Sequence, residues 1–172
     1  SVDGTFATGT AALEKRALAA ELPIWDASLC IDCGKCAIVC PHAAIRMKVW
    51  DAETAAAPPE GFKSKTYGGH ELPAGTLLTV QVAPDDCTGC GICVAVCPVR
   101  DKADPAHKAI DLLPADEHRD RERPHFEYFL ELPEVDVVAS SLDDGDDRPL
   151  PDGPAVWRSA SKLCANRILI LI

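Results

Sequence analysis

The chain has 172 residues, 27 of them acidic and 17 basic, for a formal net charge of −10. That is about one domain's length, and so acidic a balance disfavours nucleic acid or an anionic membrane surface as the main partner, since both recruit basic patches. No apolar run approaches the roughly 20 residues a membrane helix needs, and Ser1 opens the chain with neither Met nor a signal-peptide pattern, which predicts a fragment or processed piece of a cytoplasmic protein.

In chain order, Thr10 is placed to cap a helix over residues 11–21, with Glu14 supporting its first turn. Residues 22–25 read as a short strand leading into a cysteine-rich loop, and residues 44–50 as the strand that leaves it. The segment 51–75 is punctuated as loop by its Pro and Gly at 58–59 and 68–69, with a short strand near 62–67. The alternating stretch 77–82 leads into a second cysteine-rich loop, and residues 109–113 leave it. Between them, residues 99–107 are charged, carry Pro105 and read as a surface loop. Residues 119–123 mix both charge signs and read as a solvated face. The aromatic alternation of residues 125–132 predicts an edge strand or a docking linker. Asp143, Asp144, Asp146 and Asp147 mark residues 140–152 as a disordered segment.

Eight of the nine cysteines fall in the two loops. Cys30, Cys33, Cys36 and Cys40 are followed by Pro41; Cys87, Cys90, Cys93 and Cys97 are followed by Pro98. Each member of the second set lies 57 positions after its counterpart in the first. Both read C-x2-C-x2-C-x3-C-P, the run by which bacterial ferredoxins hold 4Fe–4S clusters. Intervals of three let a tight loop present thiolates to three irons of a cube. Gly34, Gly89 and Gly91 permit close backbone approach, and the proline ends the turn after the fourth cysteine. Structural zinc instead takes two ligand pairs separated by a longer spacer, and a disulfide framework needs an oxidising compartment. In two-cluster ferredoxins the fourth cysteine ligates the other cluster. That likeness assigns Cys30, Cys33, Cys36 and Cys97 to one cluster, and Cys87, Cys90, Cys93 and Cys40 to the other. The expected fold is α+β and ferredoxin-like: a pseudo-two-fold repeat whose four strands form one small sheet, a long inter-motif insert and a poorly structured C-terminal tail.

The flanking sequence carries a more specific resemblance. VDGTFATGTAALEKR at residues 2–16, LPIWDASLCIDCGKCAIVCPHAAIR at 22–46, VAPDDCTGCGICVAVCP at 82–98 and FEYFLELPE at 126–134 together resemble the dicluster domain of pyruvate:ferredoxin (flavodoxin) oxidoreductase, over residues 1–138. The resemblance implies an N-terminal family segment at 1–21, a ferredoxin-like domain at 22–138 and an unrelated tail at 139–172. It implies an electron-transfer role, with no catalytic residue in this chain, in a cytoplasmic enzyme of anaerobic metabolism. That enzyme converts pyruvate and CoA to acetyl-CoA and CO2. Thiamine diphosphate, CoA and a third 4Fe–4S cluster are expected only in its other domains. Those domains and an external ferredoxin or flavodoxin are the implied partners; a stand-alone dicluster ferredoxin, or an electron-transfer subunit of another redox complex, is the alternative.

The remaining candidates are weaker. Cys164 has no partner spacing and reads as a free thiol. His42 follows the Cys40–Pro41 turn, where it is either a tuning group or a surface side chain. His70, His107, His118 and His125 show no metal-ligand spacing with one another. Clusters add negative charge to an acidic chain, so a docking patch should be locally basic or apolar, with Lys35 and Lys48 as candidates. Lys15 and Arg16 read either as contacts to other domains or as a helix surface.

Overall fold

A computed structural model describes residues 3–4, 15–53, 55–69, 72 and 74–133. The stretch 140–152, Cys164 and residues 11–14 of the expected N-terminal helix lie outside the described residues. Eight elements follow in order: β1 (Glu21–Trp25), α1 (Lys35–Ile38), β2 (Ile45–Trp50), β3 (Lys65–Thr66), β4 (Leu77–Val82), α2 (Ile92–Val96), β5 (Ile110–Pro114) and α3 (Ala115–Glu131). Among the described residues no helix is long and apolar enough to cross a membrane.

The strands form two sheets, not the single sheet expected. β1 pairs antiparallel with β5, from Glu21 opposite Pro114 to Trp25 opposite Ile110. β4 lies between β2 and β3, with Ile45 opposite Val82 and Trp50 opposite Leu77. The strand that leads into each cysteine loop therefore pairs with the strand that leaves the other loop. Leu22, Ile45, Leu78 and Ile110 are the most deeply buried large apolar side chains, one from each of the four main strands. Burial of side chains of this size is worth about 1.5–3 kcal/mol each.

Alternation in β4 implies one wet face, yet Thr79 and Gln81 are buried as well. Thr79 Oγ1 donates to the Lys63 carbonyl at 2.8 Å and accepts from Gln81 Nε2 at 2.9 Å. The inter-motif segment and α3 cover that face. Tyr128 Oη donates to the Ala56 carbonyl at 2.6 Å, and Phe62 packs edge-on against Trp50, His125 and Tyr128.

Three local expectations are overturned. Residues 15–20 carry no regular secondary structure and Glu21 opens β1, so the described part of the expected N-terminal helix is not a helix. Residues 125–131 are the end of a helix rather than an edge strand. Ala115, Glu122, His125 and Phe129 are its buried positions, a helical spacing, while Leu130 is half exposed. Pro124 lies inside α3 on its exposed side, where its missing N–H and ring are tolerated against the packing of the buried face. Asp116 and Glu117 complement the helix N-terminus. Finally, residues 119–123 are not merely a solvated face. Arg119 donates to the Pro84 and Ala19 carbonyls, each at 2.6 Å, and Arg123 pairs with Asp85 at 2.9 Å. Arg119 thus ties α3 to the chain entering β1 and to the approach of the second cysteine loop. Arg119→Ala is expected to cost about 2 kcal/mol, the scale of charge-assisted hydrogen bonds, read as a lowered urea midpoint under anaerobic conditions.

The loop 99–107 is joined to the end of β1 by a charged bridge. His107 Nε2 faces Asp26 at 2.9 Å and Nδ1 faces Asp111 at 2.7 Å, so both ring nitrogens meet carboxylates and the imidazolium is favoured. The bond to Asp26 and then that to Asp111 raise the His107 pKa above its ordinary 6.5. The Ser28 hydroxyl, followed by His107, lowers Asp26 to about 2. The His107 contribution is fully present below pH 6.5 and is lost as pH rises through its raised pKa. That of Asp26 is present above pH 3.8 and fades as pH falls toward about 2. Thermal midpoints between about pH 6 and 9 are expected to fall on the alkaline side, and His107→Gln to flatten that limb.

Candidate metal centre

The two cysteine loops share a backbone design. Asp32 and Gly34 in the first, and Gly89 and Gly91 in the second, all have positive φ, at 61°, 67°, 70° and 74°. A Cβ at position 34 would lie 3.0 Å from Met47 Sδ, so that side chain would have to give, and the φ of 67° strains any residue but glycine there. Gly34 and Gly91 open the short helices α1 and α2, which pack on one another. The left-handed residues turn amide N–H groups toward sulfur: Asp32 N lies 3.4 Å from Cys30 Sγ, and Gly89 N lies 3.4 Å from Cys87 Sγ. After the fourth cysteine of the first run, Ala44 N approaches Cys40 Sγ at 3.3 Å. Such bonds favour the thiolate and help set a cluster's potential.

The eight thiols surround two cavities. One is lined by Cys30, Cys33, Cys36 and Cys97, with Trp25 and Met47 among the apolar walls. The other is lined by Cys40, Cys87, Cys90 and Cys93, with His42 at its edge. Each cavity thus takes three thiols from one run and the fourth from the other. None of the eight is in a disulfide. Cys87 and Cys93 are buried and Cys90 is exposed. Burial pushes the Cys36 thiol up to about 12 and Cys93 to about 11, and raises Cys30 and Cys87 too. These sulfurs hold their protons until a cation compensates the thiolate, so metal loading releases protons.

The donor set fits an iron–sulfur cube better than a single ion. Among the described residues, no three His, Cys, Asp or Glu side chains converge as they would on one metal. A tetrahedral zinc site needs four ligands about 2.0–2.3 Å from a point, whereas a cube spreads its thiolates over separate irons. Trp25 Nε1 is buried without a well-formed hydrogen bond among the described residues, and its ring walls the first cavity. It lies near enough to Cys30 to favour that residue's thiolate. A buried N–H left unpaired costs free energy, and the sulfurs of a cube and its ligands are acceptors that would satisfy it.

Comparison with known proteins agrees with this chemistry. Two families, both described as 4Fe-4S dicluster domains, match residues 29–100 and 79–123, which together span residues 29–123. The chain carries 4Fe–4S dicluster domains within residues 29–123. The chain is 49% identical to the pyruvate-flavodoxin oxidoreductase of Trichormus variabilis over 134 residues, covering 78% of this chain and 11% of that protein. It is 42% identical over 140 residues to the probable pyruvate-flavodoxin oxidoreductase of Escherichia coli, again 78% of this chain and 11% of the relative. The pyruvate:ferredoxin oxidoreductase of Moorella thermoacetica is 41% identical over 135 residues, with the same coverage. The chain therefore spans only 11% of the length of these relatives.

Other candidates from the sequence separate at this point. His42 sits at the second cavity, its Nδ1 3.4 Å from Thr88 Oγ1. Lys48 is not available for docking: its Nζ donates to the Leu132 carbonyl at 2.9 Å and lies 5.1 Å from the centre of the Phe129 ring. Lys15 is paired with Asp86 at 2.7 Å, and Lys35 is exposed on α1. Sequence reasoning missed Trp25 and Lys65 beside the first loop. The only sequence signal for Lys65 is the unusual length of the segment that delivers it.

Proposed function

We infer that this chain is the electron-transfer portion of a pyruvate:ferredoxin (flavodoxin) oxidoreductase-type enzyme. In this reading Cys30, Cys33, Cys36 and Cys97 hold one 4Fe–4S cluster, and Cys40, Cys87, Cys90 and Cys93 hold the other. The observation that carries it is the division of eight thiols between two cavities, each completed by the fourth cysteine of the other run. The matched left-handed positions and the swapped strand pairing support a pseudo-two-fold repeat. When bound, a 4Fe–4S cluster accepts and passes on single electrons.

The chain's own residues prepare the two sites for that role. The loop amides and the Trp25 N–H are donors for sulfur, and the apolar walls limit water around it. Packing of α1 on α2 sets Cys36 and Cys93 near one another, close enough for the charge of Cys93 to raise the pKa of Cys36. The cavities are therefore neighbours, which suits passage of an electron between them. In the parent enzyme, pyruvate oxidation with CoA and thiamine diphosphate belongs to other domains, and electrons leave through this one to ferredoxin or flavodoxin.

The test is the size of the native polypeptide in anaerobic extract, detected with an antibody against residues 1–138 and assayed for pyruvate- and CoA-dependent dye reduction. A large polypeptide co-migrating with the activity is expected. A small polypeptide separable from the activity would make the chain a stand-alone carrier instead.

A further inference from the structure

The two loops match in backbone but not in charge. At the left-handed position where the second loop has Gly89, the first has Asp32, with φ of 61°. A side chain there is disfavoured for most residues, less so for Asp, and its carboxylate is held in place. Asp32 Oδ2 accepts from the Gly68 N–H at 3.0 Å, and Oδ1 lies 2.9 Å from Lys65 Nζ. The same ammonium donates to the carbonyl of Cys30 at 2.6 Å. Lys65 and Gly68 belong to the inter-motif segment, which Lys63 also pins to the first loop's approach by donating to the Trp25 carbonyl at 2.7 Å. The Lys65 side chain is 26% exposed and that of Asp32 11%, so solvent screens this pair less than a surface pair.

We propose that Lys65 is a positioning and charge-tuning residue for the cluster of Cys30, Cys33 and Cys36, raising that cluster's reduction potential relative to its neighbour's. Adding an electron adds negative charge, and a fixed ammonium bonded to a ligand residue's carbonyl favours that charge. It also cancels the Asp32 carboxylate, which alone would oppose reduction. The step it biases is the passage of one electron from one cluster to the other, with no bond formed or broken. The long insert thereby makes two otherwise similar sites unequal and gives electron flow between them a preferred direction. The second loop has its own nearby cation, Arg119, but that guanidinium bonds the Pro84 and Ala19 carbonyls rather than a cysteine's.

This inference rests on the reading that the first run holds a cluster, and the experiment separates the two. The full chain, loaded anaerobically with iron and sulfide, is titrated with dithionite and redox dyes while both clusters are followed by EPR. Cys33→Ser identifies the signal of the first cluster. Lys65→Met is expected to shift the electron's equilibrium between the clusters about tenfold away from the first, which is 59 mV for a one-electron couple, while leaving the second midpoint in place. Asp32→Asn is expected to move the first midpoint the opposite way, and Lys65→Arg to restore it. A merely structural role would not give shifts of opposite sign. Unchanged midpoints in Lys65→Met, or equal movement of both clusters, would overturn the tuning role. A chain that forms no cluster at its first run would overturn both the tuning role and the reading beneath it.

Discussion

Cys40→Ser is expected to damage the cluster of Cys87, Cys90 and Cys93 and to leave the one nearest in sequence largely intact. Cys40 lines the second cavity together with Cys87, Cys90 and Cys93, while Cys36 lines the first. Swapped strand pairing explains why. β2 begins five residues after Cys40 and pairs with β4, the strand leading into the second loop, so the end of the first run is carried toward the second. Cys97→Ser is the mirror case and is expected to damage the cluster of Cys30, Cys33 and Cys36. EPR of the two reduced variants, prepared anaerobically, reads the outcome. Loss confined to the signal of the mutated run in each case would show uncrossed ligation.

Removing iron is expected to unfold the domain as a unit. The described strands are two to six residues long and lie in two small sheets, with the cysteine loops between them. Cys87 and Cys93 belong to the hydrophobic core, and Cys30, Cys36, Cys40 and Cys97 pack against it. Without metal these sulfurs surround space rather than packed atoms, and folding free energy that metal would contribute is missing. In the proposed crossed ligation, removing a whole cluster frees cysteines of both runs, whereas a single Cys→Ser change leaves three of the four ligands in place. Near-UV CD, dominated by buried Trp25 and Trp50, is expected to collapse on chelation at one iron stoichiometry. A native-like near-UV spectrum in fully iron-free protein would contradict this.

The cysteine runs were legible because the cluster dictates their spacing directly: a cube held by a short loop needs thiols at intervals of three, wherever the rest of the chain goes. The four main strands were legible from short alternating runs, and their bounds agree with expectation to within a residue or two. Their pairing was not, since the partner of β1 lies some 90 residues away in β5 and nothing in either strand's composition names the other. α3 was misread for a local reason. Pro124 and the alternation of Phe126, Tyr128 and Leu130 resemble an edge strand, but burial of Glu122, His125 and Phe129 against β1, β4 and β5 decides for a helix. Tertiary packing outweighed local propensity there. Arg119 looked like part of a solvated face and Lys65 drew no reading at all, because the carbonyls they bond, of Ala19, Pro84 and Cys30, leave no trace in sequence. Only the fold brings them together.

The most direct measurement is the iron and acid-labile sulfide content of the anaerobically loaded chain, combined with EPR of its reduced form. About eight irons and eight sulfides per chain, with two signals that interact magnetically, are expected of two neighbouring 4Fe–4S clusters. About four irons with one isolated signal, or a colourless chain that retains zinc, would contradict the account of two cavities built for a pair of clusters.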